Sequence, residues 1–344
     1  MTRGISYTNS LRDASSAASA VAGERSMSPV IGRFAPTPSG RLHLGNLLCA
    51  LLAWLSARSQ GGRMILRIED LDVQRSSRAY ADQMERDLLF LGLDWDEGGS
   101  GGGPHASYYQ SERNGRYEAA LEELAGQDRL YLCYCSRAQL HAAAAPHAGE
   151  MEPVYDGRCR RLSAAEAEAL ARSRRPAVRL RVPEETVRFI DRHYGPIAQD
   201  LARECGDFIL RRSDGVFGYQ LAVVVDDAAM GVTEVVRGRD LLTSTPRQIV
   251  LYRLLGWEPP RFIHTPLLLA PDGRRLSKRD GDLGLDVLKE RGFSGEDIAG
   301  RLAYLAGLTA RPDPVSPREL VRDFTWERVP REDILLPATL FAAK

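Results

Sequence analysis

Two short segments and one cysteine cluster of this chain carry residue types that can do chemistry. In the first, Arg33-Phe34-Ala35-Pro36-Thr37-Pro38-Ser39-Gly40 leads into His43-Leu44-Gly45-Asn46. A glycine-containing loop at the start of a helix exposes unpaired N–H groups and the positive end of the helix dipole, which suits a phosphate. His43 stands where it could donate to a phosphoryl oxygen. In the second, Arg274-Arg275-Leu276-Ser277-Lys278-Arg279-Asp280-Gly281, four cations fall within six residues around one of only three lysines. A lysine on its flexible stem is a point charge for a leaving polyphosphate. The cluster is Cys133-Tyr134-Cys135 with Cys159. Thiolates prefer zinc, although C-x-C is tighter than the usual C-x2-C and a fourth ligand is needed. His141 and His147, in the intervening loop, are open alternatives for that position. Each feature alone also has a plain reading: a structural loop histidine, a solvated basic loop, inert buried cysteines.

The elements that must position these residues read as α/β. Val30 to Phe34 and Met64 to Ile68 are short apolar runs that suit buried strands. Between them Leu47, Leu48, Leu51, Leu52 and Leu55 form one apolar helix face, with Asn46 as the expected N-cap. A helix follows to about Leu91. Strand, loop, helix, strand, helix is the opening of a parallel βαβ fold. The middle third is less regular. It holds the cysteines, an Ala/Pro/His loop from 141 to 153, a helical stretch from Ser163 to Ser173, and possible strands at Ala177–Val182 and Val187–Ile190. Regular α/β character returns at Leu221–Asp227 and Glu234–Gly238, followed by a helix from Arg247 to Leu255. The residues after Lys278 read as mostly helical. No internal repeat is visible.

The 344 residues are 44% hydrophobic and 27% charged, which excludes wholesale disorder and leaves room for two domains or one elaborated one. Leu47–Leu55, the longest apolar run, is far short of the roughly 20 residues of a membrane span, so no membrane association is expected. Basic and acidic residues balance at 46 each, so any nucleic-acid contact must be a local patch. Five cysteines without an export signal predict reduced thiols and a cytoplasmic setting. Residues 1–28, rich in Ser and Ala, read as a disordered tail. Cys49 and Cys205 read as packing residues.

Together the two phosphate-type segments resemble the HIGH and KMSKS signatures of class I aminoacyl-tRNA synthetases, here His43-Leu44-Gly45-Asn46 and Arg275-Leu276-Ser277-Lys278-Arg279. Arg33 to Gly40, Arg67-Ile68-Glu69-Asp70-Leu71-Asp72 and Val236-Arg237-Gly238-Arg239-Asp240-Leu241-Leu242 look like the glutamyl-tRNA synthetases in particular. The resemblance spans about residues 30 to 310. Because the sequence stops soon after Lys278, where glutamyl enzymes continue into an anticodon-reading domain, it is most similar to the glutamyl-queuosine tRNA(Asp) synthetases. That family attaches glutamate to the modified base queuosine.

The resemblance implies an α/β fold: a Rossmann-like catalytic domain in two halves, 29–130 and 206–280, an inserted zinc-binding, acceptor-type subdomain at 131–205, and a helical region at 281–344. It implies a glutamate site of Arg33, Phe34, Ala35, Pro36, Thr37, Glu69, Tyr219 and Arg237. Two guanidiniums there suit a dicarboxylic substrate, and Glu69 would hold its ammonium. It implies an ATP site of His43, Gly45, Asn46, Ser277 and Lys278, with His43 and Lys278 catalytic and Mg2+ on the phosphates. It also implies one structural zinc on Cys133, Cys135 and Cys159, with Tyr155 as fourth ligand from the family's Cys-x-Cys … Tyr-x3-Cys pattern. One departure is Val223, where glutamyl enzymes carry asparagine. The expected partners are ATP, L-glutamate and queuosine-containing tRNA(Asp), met by a monomer, with Arg179, Arg181, Arg188 and Arg192 as candidates for the RNA phosphates. The competing readings are a truncated glutamyl-tRNA synthetase charging a 3′ end and a catalytically silent tRNA-binding paralogue.

Overall fold

The computed structural model describes residues 29–136, 154–274, 276 and 284–342. The apolar run after Pro29 forms β1 (Ile31–Phe34), which leads through the proline-rich loop into helix α1 (Leu44–Ser59). Strand β2 (Arg63–Leu66) returns parallel to β1, with Gly32 opposite Met64. After α2 (Arg78–Phe90), the short β3 (Glu97–Gly98) pairs parallel with β2. Helix α3 (Asn114–Gly126) then leads out of the sheet.

An antiparallel region follows. It comprises β4 (Leu130–Cys133), helix α4 (Ala164–Ala171), β5 (Ala177–Leu180), the hairpin β6 (Thr186–Asp191) and β7 (Gly195–Asp200), the single turn α5 (Leu201–Glu204), and β8 (Ile209–Arg211). Strands β4, β5 and β8 make one sheet, and β6 and β7 another. Both possible strands and the helical stretch at 163–173 are present. Ser163 caps α4 through a reciprocal bond with Glu166.

The chain re-enters the parallel layer with α6 (Tyr219–Ala229), β9 (Glu234–Gly238), α7 (Thr245–Leu254) and β10 (Arg261–Thr265). Strand β9 lies beside β1: Thr233 donates its N–H to the Ile31 carbonyl at 2.9 Å and accepts the Ile31 N–H at 2.9 Å. The parallel pair β9-β10 therefore stands beside the parallel set β3-β2-β1, with the chain changing direction between β1 and β9. Past β11 (Leu268–Leu269) come α8 (Leu285–Glu290), α9 (Gly295–Leu305), α10 (Pro317–Leu320) and β12 (Ile334–Leu335), which pairs parallel with β11.

Two cores flank the sheet. One gathers α1, α9 and the C-terminal segment; the other gathers α3, α6 and α7. Burial on both faces explains the nearly continuous apolar runs of the strands. It also explains α6, whose β-branched Val223-Val224-Val225 would suit a strand but is buried as a helix, a case of tertiary packing overriding propensity. Among the described residues no helix is long and apolar enough to cross a membrane.

Candidate active site

In an open parallel sheet a ligand sits beyond the C-terminal strand ends, where strand order reverses. That position here, between β1 and β9, opens into a cavity of about 460 Å³. Arg33 and Phe34 reach it from the end of β1, and Ala35, Pro36 and Thr37 from the loop that follows. Glu69 enters from beyond β2, Tyr219 from the start of α6 and Arg237 from β9. Every residue expected to contact glutamate thus lines one cavity. His43, Gly45 and Asn46 line the same cavity at the start of α1. Ser277 and Lys278 lie outside the described residues; Leu276 of the same segment is buried in the cavity wall. Val223 is buried within α6 and is not part of the wall.

The N-cap of α1 is His43, not the expected Asn46. His43 has extended backbone, and its Nδ1 accepts the N–H of Gly45 at 3.1 Å and of Asn46 at 3.3 Å. Asn46 closes the box in return, its side-chain oxygen accepting the His43 N–H at 3.2 Å. Because Nδ1 is the acceptor, the ring hydrogen sits on Nε2. Gly45 permits this fold-back, since a Cβ there would lie 3.1 Å from the ring.

Beneath the cavity lies a buried ionic network that sequence reading did not assemble. Arg67, fully buried, bonds Asp227 at 2.5 Å and Glu69 at 3.2 Å. Arg33 lies 3.6 Å from the same Asp227 and donates to the Val236 carbonyl at 3.2 Å. Asp226 takes Arg113 at 2.5 Å, Gln110 at 2.8 Å and Tyr117 at 2.8 Å. Burial holds the Glu69 carboxyl above its usual range, against the pull of Arg67 and Arg33. The only advance signal was the paired acid Asp226-Asp227 closing an apolar run. Cys49, read as a packing residue, is half-buried in the cavity wall, where burial pushes its thiol up to about 11.

The thiols of Cys133, Cys135 and Cys159 lie within 4.8 Å of one another, on β4, just after it, and on the turn 158–161. The Tyr155 hydroxyl is 3.5 Å from the Cys133 sulfur and 3.7 Å from that of Cys135, which is 3.5 Å from Cys159. A tetrahedral zinc with bonds of about 2.3 Å to sulfur and 2.0 Å to oxygen needs about 3.8 Å between sulfurs and about 3.5 Å from sulfur to oxygen. The three separations above match that shell, and thiols within 4.8 Å of one another are close enough to share one ion. Without a cation, burial pushes Cys135 up to about 12 and the Tyr155 phenol above its ordinary range. A divalent ion reverses that preference. His141 and His147 fall outside the described residues. Arg179, expected among the phosphate-binding arginines, is instead buried. It stacks 3.8 Å over the Tyr155 ring and donates to the Asp207 carbonyl at 2.6 Å, whereas Arg188 and Arg192 are exposed.

Residues 29–330 match the model of the class I tRNA synthetases (E and Q), catalytic domain. The chain belongs to this family. Among relatives of this synthetase-family chain, the Glutamyl-Q tRNA(Asp) synthetase of Symbiobacterium thermophilum is 55% identical over 91% of this chain and 97% of that protein. The protein of the same name from Nitratidesulfovibrio vulgaris is 47% identical over 90% and 96%. A Glutamate–tRNA ligase from Sulfurihydrogenibium is 39% identical over 89% of this chain and 65% of its own length. Among solved structures, a glutamate–tRNA synthetase from Elizabethkingia anophelis superposes with a TM-score of 0.79 at 29% identity, over 91% of this chain and 69% of that one. As a class I synthetase, the chain is a ligase whose fold sets the cavity at the position expected for its chemistry.

Proposed function

We propose that this synthetase activates L-glutamate with ATP and transfers it to the queuosine base of tRNA(Asp). The observation that carries the activation step is the gathering of Arg33, Arg237, Glu69 and Tyr219 in one cavity beside the capped end of α1. Two guanidiniums answer the two carboxylates of glutamate, and Glu69 answers its ammonium. An α-carboxylate oxygen attacks the α-phosphorus of ATP; the bond to the β-phosphoryl oxygen breaks and pyrophosphate leaves. The chain's part is positioning and charge stabilisation. His43 Nε2–H and the positive end of the α1 dipole hold the α-phosphoryl oxygens, and Lys278 takes the leaving pyrophosphate, whose Mg2+ arrives with ATP. A queuosine hydroxyl then attacks the acyl carbon, its proton leaves, an ester forms and AMP departs. The zinc is structural and takes no part in these steps.

The choice of acceptor is supported by identity: Glutamyl-Q relatives are 47–55% identical over 81–91% of this chain, and glutamate–tRNA ligases 39–46% over 79–89%. The test offers labelled glutamate and ATP with tRNA(Asp) bearing or lacking queuosine, and with tRNA(Glu). Label should enter only the queuosine-bearing tRNA(Asp), and should still do so after its 3′ end is trimmed away. Charging of tRNA(Glu), or loss of label with the trimmed end, would establish the 3′-end reading instead.

A further inference from the structure

We infer that Asp191, at the tip of the β6–β7 hairpin, sets the tautomer of His264 on β10 and so provides the acceptor that holds Arg237 in the cavity. The inference rests on the reading of Arg237 as a glutamate ligand. It makes Asp191 and His264 positioning residues that tie the antiparallel region to the substrate pocket.

Both side chains are fully buried. Asp191 Oδ1 accepts the N–H of His193 at 2.9 Å and of Tyr194 at 2.8 Å, while Oδ2 lies 2.6 Å from His264 Nδ1. Burial alone would raise this carboxyl, but the bond from His264 and the backbone donors outweigh it and hold it below the usual range. An ionised carboxylate has no hydrogen to give, so His264 Nδ1–H is the donor. The opposite nitrogen is then bare. It has two neighbours, Arg237 Nε at 3.2 Å and Thr245 Oγ1 at 3.3 Å, and of these the guanidinium can only donate. Burial keeps His264 below the ordinary imidazole range, hence neutral and able to accept.

The remaining bonds of Arg237 show what this contact achieves. One terminal nitrogen donates to Thr245 Oγ1 at 2.8 Å and to the Leu241 carbonyl at 3.4 Å; the other lies 3.4 Å from the Tyr219 hydroxyl, on the cavity side. With Nε on His264 and one terminal nitrogen on Thr245, the guanidinium plane is fixed and its remaining edge is presented beside Tyr219. Were His264 to carry its hydrogen on Nε2, that hydrogen would go to Thr245 Oγ1, and Arg237 Nε would face a donor in place of its acceptor.

The experiment is a double-mutant cycle read by glutamate-dependent ATP–pyrophosphate exchange. In Asp191→Asn the amide oxygen keeps the backbone bonds, while its NH2 donates to Nδ1 and flips the imidazole. KM for glutamate should rise about tenfold, with kcat and KM for ATP within threefold. His264→Gln places an amide oxygen where Nε2 was, so Arg237 keeps an acceptor that no longer depends on Asp191. In that background Asp191→Asn should add less than twofold. His264→Leu, of similar volume but without an acceptor, should raise KM where His264→Gln does not, and this pair decides the matter if Asp191→Asn fails to fold. In the wild-type protein, 15N NMR should show the His264 hydrogen on Nδ1. A hydrogen on Nε2, or an equal effect of Asp191→Asn with histidine or glutamine at 264, would overturn the inference. Arg237→Gln with unchanged KM for glutamate would instead overturn the pocket reading, and the NMR result separates the two failures.

Discussion

His43 occupies its two ring nitrogens differently: Nδ1 is spent on the helix cap, and Nε2 carries the hydrogen that a phosphoryl oxygen can accept. Cap and chemistry can therefore be separated by substitution. Asparagine is among the preferred N-caps and reaches the same backbone N–H groups, but not the position of Nε2. His43→Asn should keep its melting temperature close to wild type and lose about 10²-fold in ATP–pyrophosphate exchange, the usual scale for deleting one donor to developing charge. His43→Ala should lose the same rate and also about 1 kcal/mol of stability from the missing cap. Exchange within threefold of wild type in His43→Asn would leave His43 as a cap alone. The residue types of this site were legible in the sequence because spacing and chemistry coincide there. The exchange of roles between His43 and Asn46 was not, because the cap is decided by an extended backbone at residue 43, and histidine is not a type that announces one.

At the scale of elements, the parallel strands and α1 were readable because doubly buried elements leave apolar runs in the sequence. The helix Tyr219–Ala229 was harder, since its valines fit either secondary structure and only its packing decides. Arg179 was misassigned because an arginine on a strand looks the same in sequence whether it is solvated or stacked on an aromatic ring. The element around Tyr155 makes a testable case. Residues 131–135 and 154–162 share a small core of Tyr131, Cys133, Tyr155 and Cys159, with Cys135 and Leu162 against it, too little to hold together unaided. Elemental analysis should find one zinc per chain. Chelation should open this segment to hydrogen exchange while the parallel sheet stays protected. Tyr155→Phe should bind zinc more weakly, retaining three thiolates. Protein purified without chelator and free of zinc would refute the site.

For the whole molecule, what sequence reading could not supply was the set of bonds between distant stretches. Arg67 finds Asp227, Asp191 finds His264, and Trp326 donates to Ser56 Oγ at 3.1 Å. None of these pairs has a local signature. The C-terminal segment is the clearest example, because it straps together parts that border the site. Pro330 and Arg331 offer carbonyls to His193 at 3.0 Å and Tyr194 at 2.8 Å at the hairpin tip. Asp333 accepts the N–H of Leu267 at 2.9 Å and pairs with Arg239. Leu267 lines the cavity just before β11, on the approach to Lys278, and Arg239 is two residues past Arg237.

Asp333→Ala should therefore act on stability and activity together. Leaving the half-buried Leu267 N–H without its partner costs about 1–3 kcal/mol. For a chain of 344 residues each kcal/mol is roughly 1–2 °C of Tm, measurable by scanning calorimetry. ATP–pyrophosphate exchange should fall about tenfold, because the strand leading to the basic segment loses its anchor. The pH dependence follows from the carboxyl: burial would raise its pKa, but Arg239 and the Leu267 N–H hold it below the usual range. A depressed carboxylate contributes fully above its unfolded pKa of about 4, and that contribution is lost as pH falls through the lower folded value. Wild type and Asp333→Ala should thus differ in Tm at pH 7, and the difference should shrink as the pH falls below about 4. A Tm difference with unchanged exchange would show that the strap stabilises the fold without positioning the site.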